Sequence, residues 1–151
     1  MAEQNLEVEV VGGSPLWRGH EDFLANALAA AAALEEVSGT VSLLLGDDAA
    51  VAALNREFRG KEGPTNVLSF PPPAVGGGAE GFLGDIALAA ETIAAEAEFQ
   101  VKRFENHAAH LVVHGFLHLL GYDHQDASEA EKMETRERAI LMSLGIGDPY
   151  A

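Results

Sequence analysis

The sequence predicts one α+β domain spanning residues 1–151, with a small mixed sheet of about four strands packed with about five helices. Three observations carry this expectation. A chain of 151 residues suits one hydrophobic core. Short apolar or alternating runs interleave with helix-forming segments in the order β-α-β-α-β-β-α-α-α, and no repeat or linker divides them. The stretch from about Phe104 to Leu120 is apolar nearly all round, which predicts a central buried helix.

Each element follows from its residues. Leu6 to Val10 alternates apolar and acidic side chains, as a half-exposed strand does, and Gly12-Gly13-Ser14-Pro15 ends it. From about Trp17 to Val37 the chain is rich in alanine and predicts a helix stopped at Ser38-Gly39. Val41 to Leu45 is a short apolar run, the pattern of a buried strand. Asp47 or Asp48 is placed to cap a helix over Ala49 to Phe58. Val67 to Phe70 is a brief strand before Pro71-Pro72-Pro73, and Gly76 to Gly81 has the composition of a mobile loop. Phe82 to Leu88 is a further strand, followed by a helix from about Ala90 to Gln100. After the central helix, Ala127 to Leu144 is amphipathic, with Gly145 just beyond its end.

Composition narrows the chemistry. There is no cysteine, so disulfides and thiolate metal sites are excluded, and a metal must be held by His, Asp or Glu. The N-terminus lacks the basic start and apolar run of a signal peptide, and the apolar stretch around Ala25 to Leu34 is too short to span a bilayer. A cytoplasmic protein is expected. A net charge of −15 argues against broad, nonspecific binding to nucleic acid or to anionic membranes, and no DNA partner is expected. Of the nine basic residues, however, Arg56, Arg59, Lys61, Lys102 and Arg103 fall in two short segments, enough to hold a phosphate locally.

Five of the six histidines lie between residues 107 and 124. On a helix, His107, His110, His114 and His118 form one stripe. Residues four apart rise about 6 Å along the axis and can share one ion, whereas residues eight apart rise about 12 Å and cannot. His110, His114 and His118 are therefore not all ligands of one metal. Gly121 can take the left-handed conformation that ends a helix, letting the chain turn back and bring His124 beside His118. The predicted ligand set is His114, His118 and His124. Three neutral imidazoles leave a fourth position open, the arrangement of a catalytic zinc. His110, one turn earlier, is placed for a groove or supporting role; His107 reads as structural.

The run HLVVHGFLHLLGYDH resembles the signature of the YbeY family of metal-dependent endoribonucleases. NREFRGKEGPTNVLSFP from Asn55, FLGDIALA from Phe82 and EKMETRERAIL from about Glu131 match the same family in order, covering roughly three-fifths of the chain. The resemblance implies a Zn2+-dependent, single-strand-specific endoribonuclease that works in rRNA maturation at the 16S 3′ end and in ribosome quality control. It implies rRNA and the ribosome as partners. The acidic surface would suit a basic ribosomal protein or an assembly GTPase. Where the family usually has aspartate in P-T-D-V-L-S-F, this chain has Asn66, which removes a carboxylate near the groove.

Arg59 is a forked donor suited to a phosphate and to the charge of a pentacoordinate transition state. Its position alone favours a solvated helix-end arginine; the resemblance implies catalysis. Lys61 is a second cation in the same turn. Ser69, at the end of its strand, offers a backbone edge to an extended substrate or simply packs. Asp85 interrupts an apolar strand; as a buried carboxylate it would orient a histidine or cap backbone. Asp123 suits either a base acting through water or a turn stabiliser, and Met133 suits the core. Two other readings compete, a zinc peptidase and a non-catalytic, metal-stabilised ribosome assembly factor. The peptidase would need a glutamate after its first histidine, where Gly115 stands. That glycine is expected to leave room beside the metal.

Overall fold

A computed structural model describes residues 6–63, 65–72 and 81–150. Four strands and five α-helices alternate as expected: β1 (Leu6–Val11), α1 (Glu21–Glu35), β2 (Gly39–Gly46), α2 (Asp48–Arg59), β3 (Val67–Phe70), β4 (Phe82–Ala89), α3 (Ala90–Phe99), α4 (Phe104–Leu119) and α5 (Ala127–Ser143). Apart from Gly81, the glycine-rich loop expected from Gly76 to Gly81 lies outside the described residues.

The strands form one mixed sheet in the order β1-β2-β4-β3. β1 and β4 run parallel to β2, with Val8 opposite Val41 and Leu43 opposite Ile86. β3 pairs antiparallel to β4, with Leu68 opposite Ala87, and forms the sheet edge. Alternation along β4 divides its side chains between two layers. Ile86 and Leu88 join the main core with α1, α3, α4 and α5, whereas Ala87 and Ala89 meet Leu68 and Val51 of α2 on the other face.

The apolar α4 is central, as its sequence requires. Ala108, Ala109, Val112, Val113, Phe116 and Leu117 are fully buried between the sheet and the neighbouring helices. Each such large side chain contributes about 1.5–3 kcal/mol when taken out of water. The half-buried face of α4 carries His110, His114 and His118.

Two helix starts refine the sequence reading. The helix expected from Trp17 begins only at Glu21, after a 3-10 turn over Pro15–Trp17. Trp17 is drawn into the core, where its indole Nε1 donates to the Gly46 carbonyl at 2.8 Å, and that tie is incompatible with a continuous helix. Of the two aspartates ahead of α2, Asp47 is the cap, accepting from Ala50 N at 2.8 Å. Asp48 instead accepts from the amide and hydroxyl of Thr92, each at 2.9 Å, which joins α2 to α3.

Candidate active site

α4 and the turn that follows it bring three imidazoles together. His114 and His118, one turn apart, have ring centroids 4.6 Å from each other. Gly121 adopts φ 103°, which an L side chain rarely takes, and the amides of Gly121 and Tyr122 bond back to His118 and Leu117. This turn returns the chain so that the His124 ring lies 5.1 Å from His118 and 5.6 Å from His114. One ring nitrogen from each of the three lies within 4.8 Å of the others. His110 stands 6.3 Å from His114 and is outside the group.

Hydrogen bonding selects the tautomers. His114 Nδ1 donates to Glu137 Oε1 of α5 at 2.6 Å, and His118 Nδ1 donates to the Tyr122 carbonyl at 2.9 Å. Both Nε2 atoms therefore carry lone pairs, and they face each other at 3.1 Å. Two nitrogens on a tetrahedral zinc, each about 2.0–2.1 Å from it, stand roughly 3.3 Å apart, so the donor set fits such an ion. Burial, then the neighbouring His114, holds the His118 pKa below the ordinary histidine value, favouring the neutral form a ligand needs.

Glu137 was not foreseen. It is fully buried, and it accepts from His114 and, through a short hydrogen bond, from the Tyr150 hydroxyl, with His110 Nε2 3.6 Å away. Burial works to raise its pKa, but hydrogen bonds from His110, His114 and Tyr150 outweigh this and hold it down at about 2. A sequence signal existed: Glu137 follows Met133 by four and precedes Ile140 by three, so it lies on the apolar stripe of α5. Tyr150 had no such signal.

A cavity of ≈ 580 Å³ opens over the histidines, lined also by Arg59, Asn66, Ser69, His110, Asp123 and Tyr150. Arg59 ends α2, its guanidinium 5.7 Å from the Phe70 ring centroid and donating to the Ser69 carbonyl at 3.1 Å. Ser69 Oγ donates to the Gly115 carbonyl at 2.9 Å, so its hydroxyl is occupied in packing. Asp123 stabilises the turn, its Oδ1 accepting from the His124 amide at 2.7 Å.

Several expectations are corrected. Asp85 is exposed rather than buried and does not line the cavity; its side chain lies on the sheet face opposite Ile86. Lys61 also lies outside the cavity lining, because the left-handed Gly60 turns the chain away after Arg59. Gly115 leaves no room beside a metal: a Cβ there would stand 2.8 Å from Ser69 Oγ and 3.2 Å from both Ile86 Cγ2 and Val67 Cγ2. The space is filled by β3 and β4, so any larger side chain must displace them. Asn66 donates to Glu96 Oε1 and Oε2 at 3.1 and 3.3 Å, and Glu96 in turn pairs with His107 Nε2 at 2.9 Å. His107 is structural and Met133 is core, as expected.

Comparison with known proteins points to one family. A family model described as "Endoribonuclease YbeY" matches residues 15–145. A protein of that name from Parvibaculum lavamentivorans is 50% identical, over 96% of this chain and 85% of its own. Another from a Chelativorans species is 55% identical, over 85% and 82%. Among solved structures, TM1509 from Thermotoga maritima superimposes with a TM-score of 0.63 at 25% identity, over 91% of each chain.

Proposed function

This chain belongs to the YbeY endoribonuclease family, and from that premise we propose that His114, His118 and His124 hold its metal while Arg59 serves the scissile phosphate. It is a metal-dependent endoribonuclease of rRNA processing. The observation that carries the residue assignment is that Arg59 and the three imidazoles line one cavity.

The tri-imidazole set suits Zn2+, although other divalent transition metals accept imidazole. When bound, such an ion supplies Lewis acidity toward phosphate or attacking oxygen. Arg59, which lines the cavity while held on the Ser69 carbonyl of the edge strand, neutralises charge that grows on the non-bridging phosphate oxygens. Asp123 lines the same cavity as the carboxylate assigned to take up the proton of the attacking oxygen. His110 is a groove residue beside them. We assign Lys61 and Asp85 no part in the chemistry.

We further read the substrate as single-stranded rRNA near the 16S 3′ end, with a role in ribosome quality control and the whole chain, 1–151, as one catalytic domain. A net charge of −15 supports a basic ribosomal protein or an assembly GTPase as the contact that delivers it to RNA, and supports a role away from DNA; we place that role in the cytoplasm, where rRNA is processed. Among the described residues no helix is long and apolar enough to cross a membrane.

Cleavage of a single-stranded oligoribonucleotide by the purified protein tests this reading. Chelation, His114→Ala and Arg59→Ala should each reduce the rate at least about 10²-fold. Undiminished cleavage after chelation or in His114→Ala would sink the metal assignment, and undiminished cleavage in Arg59→Ala would sink the role of the arginine.

A further inference from the structure

We propose that Tyr150 is a positioning residue of the metal site, orienting His114 through Glu137; this rests on the assignment of His114 as a ligand. After α5, Gly145 takes φ 77° and the Ile146 amide bonds back to the Leu141 carbonyl at 2.9 Å, reversing the chain. The segment from Gly145 to Tyr150 then runs back beside α4 and α5 under several ties. Lys102 Nζ donates to the Pro149 carbonyl at 3.3 Å, and Arg138 Nε donates to Asp148 Oδ2 at 3.1 Å. The Tyr150 amide donates to Asp148 Oδ1 at 2.8 Å, and the Arg138 guanidinium lies 5.5 Å from the Tyr150 ring centroid. So many contacts on six residues fix where the phenol goes.

It goes to the buried end of Glu137. Tyr150 gives Glu137 Oε2 its short hydrogen bond, His110 Nε2 stands farther from the same oxygen at 3.6 Å, and Oε1 accepts from His114 Nδ1. The phenol oxygen is also 3.3 Å from His110 Nε2, whose N–H it can accept, so His110, Tyr150, Glu137 and His114 form one hydrogen-bonded chain. Without the phenol, buried Oε2 keeps only the longer contact to His110 Nε2, and the carboxylate rotates to shorten it. Rotation of Glu137 disturbs its bond to Nδ1 and hence the direction of the His114 Nε2 lone pair. Carboxylates behind metal-binding histidines typically alter metal affinity about 10–100-fold when changed.

The test uses the full chain, Co2+ as the probe, competition against a chromophoric chelator and the ligand-field spectrum of the loaded protein. Tyr150→Phe keeps the ring and its packing against Arg138 and removes only the hydroxyl. It should weaken Co2+ binding by about tenfold and shift the spectrum. Glu137→Gln should weaken it at least as much, and the double variant should be no weaker than Glu137→Gln alone, since one residue acts through the other. A purely structural tyrosine would give additive losses. Wild-type affinity in Tyr150→Phe, or additivity in the double variant, overturns the inference. Absence of Co2+ binding by the wild-type chain overturns the three-histidine assignment itself, which separates the two failures. Arg138→Ala, which loosens the segment and the packing on the ring but keeps the hydroxyl, should shift affinity in the same direction but less.

Discussion

The Ser69 hydroxyl donates to the Gly115 carbonyl across 2.9 Å, fastening the edge strand to the helix that carries His114 and His118. Strand and helix approach this closely because residue 115 has no side chain.

Gly115→Ala tests that contact. Alanine gains about 1 kcal/mol in helix propensity. Against this, the new methyl meets two stiff β-branched neighbours and displaces the Ser69 hydroxyl. Overpacking costs about 1–3 kcal/mol and the lost hydrogen bond about 1 kcal/mol. The expected net loss is about 1–3 kcal/mol, a Tm several degrees lower, measured by calorimetry. A Tm at or above wild type would show that β3 yields without cost.

Asn66→Asp introduces a carboxylate and sets it against Glu96. Near pH 8 the two like charges should destabilise the variant by about 1–2 kcal/mol. The raised carboxyl pKa in the folded state means stability returns as pH falls and the pair takes up a proton. The Tm deficit should therefore be smaller at pH 5 than at pH 8; an equal deficit would exclude charge as the cause.

His107 gives the wild-type protein a pH signature of its own. Burial, only partly offset by Glu96, holds its pKa below 6.5, with His110 and Lys102 adding to the lowering. The unfolded chain then binds its proton first, so this stability is fully present above about pH 6.5 and is lost as pH falls through the lowered value. Denaturant titrations between pH 7.5 and 5 should show a flatter profile for His107→Gln than for wild type. Parallel profiles would remove His107 as the source.

Arg59→Lys keeps the charge and loses the fork. Because Arg59 reaches the cavity while also donating to the Ser69 carbonyl, a single ammonium cannot serve both. RNA cleavage should fall by about 10–10²-fold, mainly in kcat. A lysine variant as fast as wild type would reduce the arginine to a point charge.

Much of this molecule was readable in its residues because the informative patterns are local. Helical spacing joined His114 to His118, and Gly121 predicted the turn that returns His124. Strand alternation and the apolar α4 fixed the layers. What escaped depends on tertiary approach. Asp85 looked buried because its neighbours are apolar, yet it projects from the sheet face on which α2 leaves it uncovered. Trp17 looked helical until a carbonyl 29 residues away claimed its indole. Tyr150 reaches Glu137 only after the chain reverses at Gly145, and nothing near it in sequence announces that partner.

The turn between α4 and α5 has a practical consequence. Tyr122 is anchored through its phenol to Glu35 at 2.7 Å, and Asp126 caps α5 by accepting from Glu129 N at 2.8 Å. Between these anchors, among the described residues, the hydrogen bond from the His124 amide to Asp123 is a local one that ties the span to nothing else. An ion joining His124 to His118 would close this span into a ring. A protease or amide exchange would then report occupancy directly: the backbone at 123–125 should be nicked and exchange quickly after chelation, and become protected as metal is added back, with no RNA in the tube.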